Sequence, residues 1–331
     1  MSEILNYVEN FQLFGACLSL TSNPIIIFLL VFQAPSSFGS YRYLMISYTI
    51  IEIIYSFSFY FSDMSAHSTN TSYVLFRKNS GLNRTIEEVF LLQFCVMYIT
   101  LIGLLCVHYV YRYIVICQSS LLPKIFSKFK TFTWVFGCQI IGIVFGIWKY
   151  ILFKETDYTT NILRHDIQKY YNLSMEQIIY NGPVYRVFEN PNSVKTPNSS
   201  ILGMSIIIAL MFTSFTTMIV CGYKCCSKIE TNIFLSSRAK SVQKQLFVAL
   251  LVQSLIPIIF MYIPVTLLFL SPAFGIGFGI YANIIMICLS IYPPIDQFVI
   301  IFVIQDFRQT IRKRICCGYS ITIKKKYSDS P

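Results

Sequence analysis

Long apolar stretches separated by short polar segments dominate the pattern of this 331-residue chain. A membrane-spanning helix needs about 20 mostly apolar residues. Stretches of that length occur at Phe11–Phe32, Tyr43–Phe61, Val89–Tyr111, Thr131–Phe153, Ser200–Gly222, Val242–Leu270 and Gly275–Ile304. A segment inside a bilayer must satisfy its own backbone hydrogen bonds, so these segments are predicted to be helices. The pattern therefore predicts an all-α integral membrane protein in which residues 1–331 form a single bundle of seven transmembrane helices.

Composition supports this assignment and excludes several classes of function. The chain is 55% hydrophobic and only 12% charged, whereas soluble globular proteins carry about 25% charged residues. No zinc, P-loop or nucleophile signature is present in the sequence, and the GIGFG segment at Gly275–Gly279 follows no predicted strand, as a nucleotide-binding fingerprint would. We therefore expect neither an enzyme nor a bound cofactor.

Two patterns set the predicted orientation. With the N-terminus outside, most Lys and Arg residues fall in the inner segments and the tail, in keeping with the positive-inside rule. Glycosylation acceptors of the form N-x-S/T occur at Asn70, Asn83, Asn172 and Asn198, all in loops that this orientation places outside. We predict an extracellular N-terminus, a cytoplasmic C-terminus and glycosylation at these four asparagines.

The predicted inner face is basic and suited to contact lipid. The net charge of +11 fits anionic lipid or an acidic protein surface, and it requires no nucleic acid. After Ile304, the residues Phe307, Ile311 and Ile315 recur every four positions, which predicts a short amphipathic helix on the inner leaflet. Cys316 and Cys317 follow it and are candidates for palmitoylation.

Ionisable residues inside the spans are costly to bury and are functional candidates for that reason. Glu52 lies in span two and Asp296 in span seven. At about 1.5 Å per residue, both lie roughly 12–14 Å above the inner ends of their helices. They either share one polar site or are satisfied separately by hydroxyls and carbonyls. Arg112 ends span three, where it is either a snorkelling interfacial residue or part of a signalling site.

Paired prolines occur in the last two spans. Pro257 and Pro264 lie one heptad apart in span six, and Pro293 and Pro294 are adjacent in span seven, just before Asp296. Proline removes a helical hydrogen bond and leaves carbonyl groups free for neighbouring helices. The pattern predicts that span six bends next to the basic inner loops.

Four segments together resemble the nematode seven-helix chemoreceptors of the Str superfamily, in particular class r and str-type members: FGSYRYLMISYTIIEIIYS, YVYRYIVIC, QSLIPIIFMYIP and LSIYPPIDQFVIIFVIQDFR. The resemblance implies a chemosensory G-protein-coupled receptor in the plasma membrane of sensory cilia, with a heterotrimeric G protein as partner. Arg112 resembles the receptor arginine at the inner end of helix three, and Pro293, Pro294 and Asp296 resemble the helix-seven motif. Tyr111 stands where the broader pattern has an acid.

A receptor of this kind would bind a small, mostly apolar molecule in the outer half of the bundle. The residues at that depth which we predict to contact it are Phe94, Tyr98, Met204, Met261, Tyr262, Phe278, Tyr281 and Asn283. The alternative is a subunit of a seven-helix ligand-gated channel, although such subunits are usually longer and have the N-terminus inside.

Overall fold

The computed structural model describes residues 3–34, 38–190, 193–231, 237–304 and 307–312. Within these ranges, seven helices are long and apolar enough to cross a membrane, which confirms the predicted bundle of a multi-pass membrane protein. The first five spans are α1 (Glu3–Phe32), α2 (Tyr41–Ser62), α3 (Arg84–Cys117), α5 (Lys128–Leu152) and α7 (Asn198–Thr231). Span six comprises α8 (Ser237–Pro257), a π-helical turn (Ile258–Tyr262) and α9 (Ile263–Leu270), and span seven is α10 (Asn283–Val303). Two shorter helices, α4 (Leu122–Ile125) and α6 (Asp157–Tyr171), lie in loops.

Helix α3 forms the centre of the bundle. It packs against α2, α5 and α7, and α1 packs against α2 and α10. Most side chains of α3 from Leu91 to Ile116 are buried, because neighbouring helices surround it. Close approach of α5 depends on Gly142, where a Cβ atom would lie 2.6 Å from the Val96 carbonyl oxygen of α3.

The starts of α1 and α10 differ most from the sequence prediction, and for local physical reasons. Helix α1 begins at Glu3 rather than near Phe11, because Leu5 and Val8 bury their side chains. Helix α10 begins at Asn283 rather than at Gly275. The segment between them turns repeatedly, and Gly275 and Gly279 adopt φ angles of 77° and 55° that favour glycine over any residue with a side chain.

The loops at one end of the bundle form a small antiparallel sheet that the sequence analysis did not predict. Its strands are β1 (Met64–Ser68), β2 (Tyr73–Lys78) and β3 (Ile178–Asn181), in the order β1-β2-β3. A separate hairpin pairs β4 (Val187–Asn190) with β5 (Ser193–Lys195). Following the predicted orientation, we call β1–β3, α6 and residues 271–282 the outer cap, and the end that carries it the outer end. The outer end bears all four predicted glycosylation sites.

The outer cap has its own apolar core. Val74 and Phe76 of β2 pack against Leu163, Ile167 and Tyr171 of α6. A backbone bridge between Ser68 and Gly279 then attaches the sheet to the segment that leads into α10. The cap is thereby joined both to the bundle and to span seven.

At the inner end, residues 307–312 are helical. Phe307 is buried and its ring lies 5.9 Å from that of Phe38, while Arg308 and Arg312 are exposed. This described part has the amphipathic character predicted for the segment. Ile315, Cys316 and Cys317 lie outside the described residues.

Candidate functional site

Arg112 lies buried at the inner part of α3 rather than at a lipid interface. Only 1% of its surface is exposed. Its guanidinium carbon stands 3.7 Å from the centre of the Tyr41 ring of α2 and 5.9 Å from that of Tyr111. A guanidinium over an aromatic face gains a cation–π attraction that strengthens when water is excluded. The aromatic ring of Tyr41 thus contacts the arginine directly, next to Tyr111, which stands where the resemblance leads one to expect an acid.

Tyr111 connects this arginine to the inner loop. Its ring lies 5.1 Å from the Tyr41 ring and 4.9 Å, edge-on, from that of Phe126. Phe126 also stacks on Trp134 of α5 at 5.7 Å. The residue that replaces the acid therefore serves as an aromatic contact between α2, α3 and the segment leading into α5.

The two intramembrane carboxyl groups share one polar cluster, which is the first of the two alternatives left open by the sequence. Glu52 of α2 and Asp296 of α10 are fully buried and lie within hydrogen-bonding reach of each other. Gln253 of α8 donates from Nε2 to Asp296 Oδ2 at 2.8 Å, and Gln297 donates to Glu52. Three spans therefore meet at these carboxyl groups.

Acceptors outnumber donors in this cluster. Glu52 Oε1, Asp296 Oδ1 and Gln297 Oε1 are buried and accept no hydrogen bond from the part of the chain that the structure describes. Buried polar groups are normally hydrogen-bonded, and one left without a partner costs about 1–3 kcal/mol. The cluster is therefore sensitive to any change in the number of its protons or donor groups.

A chain of contacts runs from the carboxyl groups to Arg112. Tyr292 of α10 lies within hydrogen-bonding reach of Glu52, and its hydroxyl is 2.5 Å from that of Tyr48. The Tyr48 ring meets the His108 ring edge-on at 5.1 Å. We call the following set the polar relay: Glu52, Asp296, Tyr292, Tyr48, His108, Tyr41 and Arg112.

A hydrogen bond connects His108 of α3 to Tyr41 of α2 near the end of the polar relay. His108 Nδ1 lies 3.1 Å from the hydroxyl of Tyr41, whose ring contacts Arg112. The sequence analysis identified Glu52, Asp296 and Arg112 but missed the aromatic residues between them. Aromatic side chains are common in apolar spans, so composition alone does not distinguish these from packing residues.

The prolines of α10 are accommodated by neighbouring helices. The helix continues through Pro293 and Pro294. Pro293 lacks the N–H that would bond to the Leu289 carbonyl, and the hydroxyl of Tyr55 donates to that oxygen instead at 3.1 Å. The Ser290 carbonyl, which Pro294 leaves free in the same way, faces Gly15 of α1, where a Cβ atom would lie 2.3 Å from the oxygen.

Span six changes its helical form between its two prolines. The π-helical turn lies between Pro257, which ends α8, and Pro264 near the start of α9. Such turns free backbone groups and are frequent at functional sites. The Tyr98 hydroxyl of α3 donates to the Met261 carbonyl in this turn at 3.4 Å. The structure thus places a local irregularity where the sequence predicts a bend, and its role as a hinge stays a prediction.

The predicted ligand contacts fall into two groups. Six of them are buried: Phe94, Tyr98, Met204, Met261, Tyr262 and Asn283. Phe278 is half-buried, and Tyr281 is 72% exposed at the outer end. The Phe94 and Tyr98 rings lie 6.3 Å apart on α3, and Tyr98 reaches Met261 across the bundle. The structure therefore brings the α3 and span-six candidates together.

Asn283, the first residue of α10, is hydrogen-bonded to the outer cap. Its Oδ1 accepts from the Ala66 N–H at 3.0 Å, and its Nδ2 donates to Tyr171 and to the Ile280 carbonyl. Its role as a ligand contact stays a prediction, as do those of the other candidates.

A cavity of about 520 Å³ lies between α7 and span six. Its lining is almost entirely apolar and includes Met211, Phe212, Phe215, Leu267 and Phe269. Tyr262 stands at its wall, and its hydroxyl bonds to the Ser214 hydroxyl inside the bundle. Several lining side chains are exposed on the outside of the bundle, so the cavity is open toward the surrounding bilayer.

The four predicted glycosylation sites are exposed at the outer end. Asn70 lies in the turn between β1 and β2. Asn172 ends α6 with a left-handed φ of 54°, and Asn83 caps α3 by accepting from the Thr85 N–H at 2.9 Å. Asn198 is the first residue of α7. Their common location agrees with the predicted orientation, and their modification stays a prediction.

Known proteins match this chain over nearly its whole length. The family described as serpentine type 7TM GPCR chemoreceptor Str matches residues 8–312. Serpentine receptor class r-10 of Caenorhabditis elegans is 29% identical over 315 residues, covering 94% of this chain and 92% of that protein. G-protein coupled receptor str-33 of the same species is 24% identical, covering 89% and 87%. The crystal structure of squid rhodopsin is similar in fold, with a TM-score of 0.66 at 10% sequence identity. The match covers 95% of this chain and 86% of the rhodopsin chain.

Proposed function

Because the chain belongs to the Str family of serpentine seven-helix chemoreceptors, we propose that it binds a small apolar molecule and activates a heterotrimeric G protein. Its place is the plasma membrane, in the sensory cilium that the family resemblance implies. The observation that carries this proposal is Arg112, fully buried at the inner part of α3 and covered by the Tyr41 ring. A buried cation at this place is costly to keep, which favours a role in signalling over one in simple anchoring.

The ligand enters the outer half of the bundle between α3, α7 and span six. Tyr98, Met261 and Tyr262 lie there around the π-helical turn. The apolar cavity between α7 and span six gives a molecule dissolved in the bilayer a route to Tyr262. A ligand that displaces Tyr262 or Met261 alters the turn directly, and the helix below it carries Gln253, which bonds to Asp296.

Activation then passes along the polar relay to the inner end. A shift of α8 changes the Gln253–Asp296 bond and, through Tyr292, Tyr48 and His108, the position of Tyr41. Arg112 leaves the Tyr41 ring and becomes available to a G protein. Such a change needs only two arrangements of packed side chains with different ligand affinities.

The experiment replaces Arg112 by Ala in cells that report G-protein activation, with surface expression measured in parallel. We expect normal surface expression and lost coupling for Arg112→Ala. Arg308→Ala, an exposed arginine at the same end, is the matched control and should couple normally. Equal loss of expression and coupling in Arg112→Ala would contradict the proposal. A fast cation current that survives blockade of G-protein signalling would support the channel alternative instead.

A further inference from the structure

One buried histidine of the outer cap takes no part in the polar relay. His67 of β1 has no exposed side-chain surface. Its Nε2 lies 3.3 Å from Asp166 Oδ2, and its Nδ1 lies 3.3 Å from the Tyr171 hydroxyl. Both partners belong to α6. The imidazole therefore holds the first outer loop to the second.

The same contacts reach the start of span seven. The Tyr171 hydroxyl donates to the Ala66 carbonyl at 3.2 Å and accepts from Asn283 Nδ2 at 2.9 Å. Asn283 Oδ1 in turn accepts from the Ala66 N–H at 3.0 Å. Around His67, strand β1, helix α6 and helix α10 are thus joined by one hydrogen-bond network. A change in the imidazole affects all three elements.

The number of hydrogens on the imidazole decides how this network is satisfied. A neutral ring that donates from Nε2 to Asp166 leaves Nδ1 as an acceptor, and the single hydrogen of the Tyr171 hydroxyl then goes either to Nδ1 or to the Ala66 carbonyl. A protonated ring donates from both nitrogens, so the Tyr171 hydroxyl must turn its hydrogen to Ala66. The protonated ring also places a positive charge where no side-chain surface reaches water, which is costly even beside a carboxylate.

The other groups around His67 do little to offset that charge. His165 of α6 contacts Asp166 from the far side at 3.3 Å, while Lys169 stands over the Tyr170 ring. Arg164 pairs with Glu176. Strand β2 presents Val74 opposite His67, α1 contributes Leu5 to the cap, and α10 contributes the uncharged Asn283. Among these neighbours, Asp166 is the carboxylate that contacts His67.

Burial consequently lowers the pKa of His67 below its ordinary value of 6.5, and the hydrogen bond and charge of Asp166 oppose only part of this effect. In a cap that has opened to water, the same imidazole regains its ordinary pKa. Above pH 6.5 the imidazole is neutral in both the closed and the open cap, and its contribution to the closed state is complete. As the pH falls below 6.5, the open cap binds the proton more readily than the closed cap, and this contribution is lost. Acid therefore favours the open cap.

We propose that His67 is the proton-binding site of a latch on the outer cap, which is closed while the imidazole is neutral and released when it takes up an extracellular proton. This latch is separate from the proposed binding of an apolar ligand, because what it binds is a proton. Its consequence for a receptor is that external pH sets how firmly the first two outer loops hold the start of span seven.

The test uses the purified full-length receptor in lipid nanodiscs and needs no G protein. Amide hydrogen exchange of β1 and β2 is measured at about pH 7.5 and about pH 5, each corrected for the intrinsic exchange rate. We expect acid to increase the opening of the wild-type cap by up to about 30-fold at pH 5, because an open-state imidazole with a pKa of 6.5 is protonated there while the closed-state imidazole, with its lowered pKa, resists protonation. His67→Gln keeps a neutral side chain that can bond to Asp166 and Tyr171, and it should show no such increase. His165→Gln, which changes an exposed histidine beside it, should behave as the wild type.

A second measurement keeps the proposal testable if His67→Gln does not fold. Exchange of the imidazole C2 hydrogen reports the titration of each of the three histidines in the intact chain. We expect His67 to titrate below 6.5 and to move lower still in Asp166→Asn, which loses the carboxylate that favours the charged ring. Titration of His67 at or above 6.5, or equal acid-induced opening in wild type and His67→Gln, would overturn the latch. Neither result depends on whether the protein couples to a G protein.

Discussion

The Tyr55 hydroxyl donates to the carbonyl oxygen of Leu289, the group that Pro293 leaves without its helical partner. A side chain of span two thus replaces the backbone donor that is missing in span seven. Such interhelical hydrogen bonds contribute about 0.6 kcal/mol on average within membranes and up to about 2 kcal/mol. The interaction explains how α10 remains helical through two adjacent prolines.

Tyr55→Phe should lower the thermal stability of the receptor because the Leu289 carbonyl loses its donor. In a Pro293→Ala background the alanine N–H supplies that bond, so the same substitution should cost less. The measurement is a double-mutant cycle of thermal unfolding in detergent. Tyr7→Phe, at an exposed tyrosine, is the control and should have no effect. An equal cost of Tyr55→Phe in both backgrounds would show that the hydroxyl does not act through this carbonyl.

Gly15→Ala should destabilise the contact between α1 and α10. The new Cβ atom would lie 2.3 Å from the Ser290 carbonyl oxygen, and backbone cannot move as easily as a side chain. Overpacking of this kind costs about 1–3 kcal/mol. Gly137→Ala is the matched control, because a Cβ there meets nothing within 4 Å. Thermal unfolding of both variants is the measurement, and a Gly15→Ala receptor as stable as Gly137→Ala would contradict the close approach.

Tyr41→Leu should raise signalling in the absence of ligand, because it removes the aromatic face that holds Arg112. A buried cation–π contact is worth about 2 kcal/mol, which corresponds to an increase of about 30-fold at most in the ratio of active to inactive receptor. Tyr41→Phe retains the ring and loses only the hydroxyl bonded to His108. It should therefore raise basal signalling less. Basal activity normalised to surface expression distinguishes the two, and equal values would exclude the ring as the restraint.

Asp296→Asn should change basal signalling more than folding. The amide brings a donor into a cluster that has more acceptors than donors, which alters the balance among Glu52, Gln253 and Asp296. Glu52→Gln acts on the same balance from α2, so the effects of the two substitutions should not add. The assay compares basal activity of both single variants and the double variant. Unchanged ligand response and basal activity in all three would remove the carboxyl pair from the switch.

The predicted orientation can be checked by glycosidase treatment of the expressed protein. An extracellular N-terminus requires a mobility shift from at least one of Asn70, Asn83, Asn172 and Asn198. Variants that each remove one acceptor motif assign the shift to a site and should leave the fold intact. Thr85→Ala removes the motif at Asn83 but retains the Asn83 cap of α3. Asn172→Gly removes the motif at Asn172 and suits the left-handed end of α6. If the wild-type protein shows no shift, the assignment of the outer end is wrong.

The sequence predicts the helices because a bilayer imposes length and hydropathy on every span. It also predicts that Glu52 and Asp296 lie at similar depth, since helical rise fixes depth. Whether they face each other depends on the rotation of each helix, which only packing determines. The donation from Tyr55 to Leu289 and the contact at Gly15 are equally non-local, so no short motif indicates them.

The outer sheet was missed for another reason. Strand β1 has the sequence MSAHS, which is neither strongly apolar nor alternating, and its pairing with β2 depends on a loop of four residues. Strand β3 comes from a loop about a hundred residues later. Formation of β1 therefore depends on its pairing with β2 and its contacts with α6 rather than on local propensity.

No cysteine of the chain lies in the segments that form the outer cap. Its closure consequently depends on hydrogen bonds and apolar contacts, with no covalent bond to make it permanent. Extracellular reductants should leave the cap unaffected, and its lifetime should be set by temperature and by the solvent that reaches it. In the proposed latch, each closing of the cap therefore remakes only non-covalent contacts.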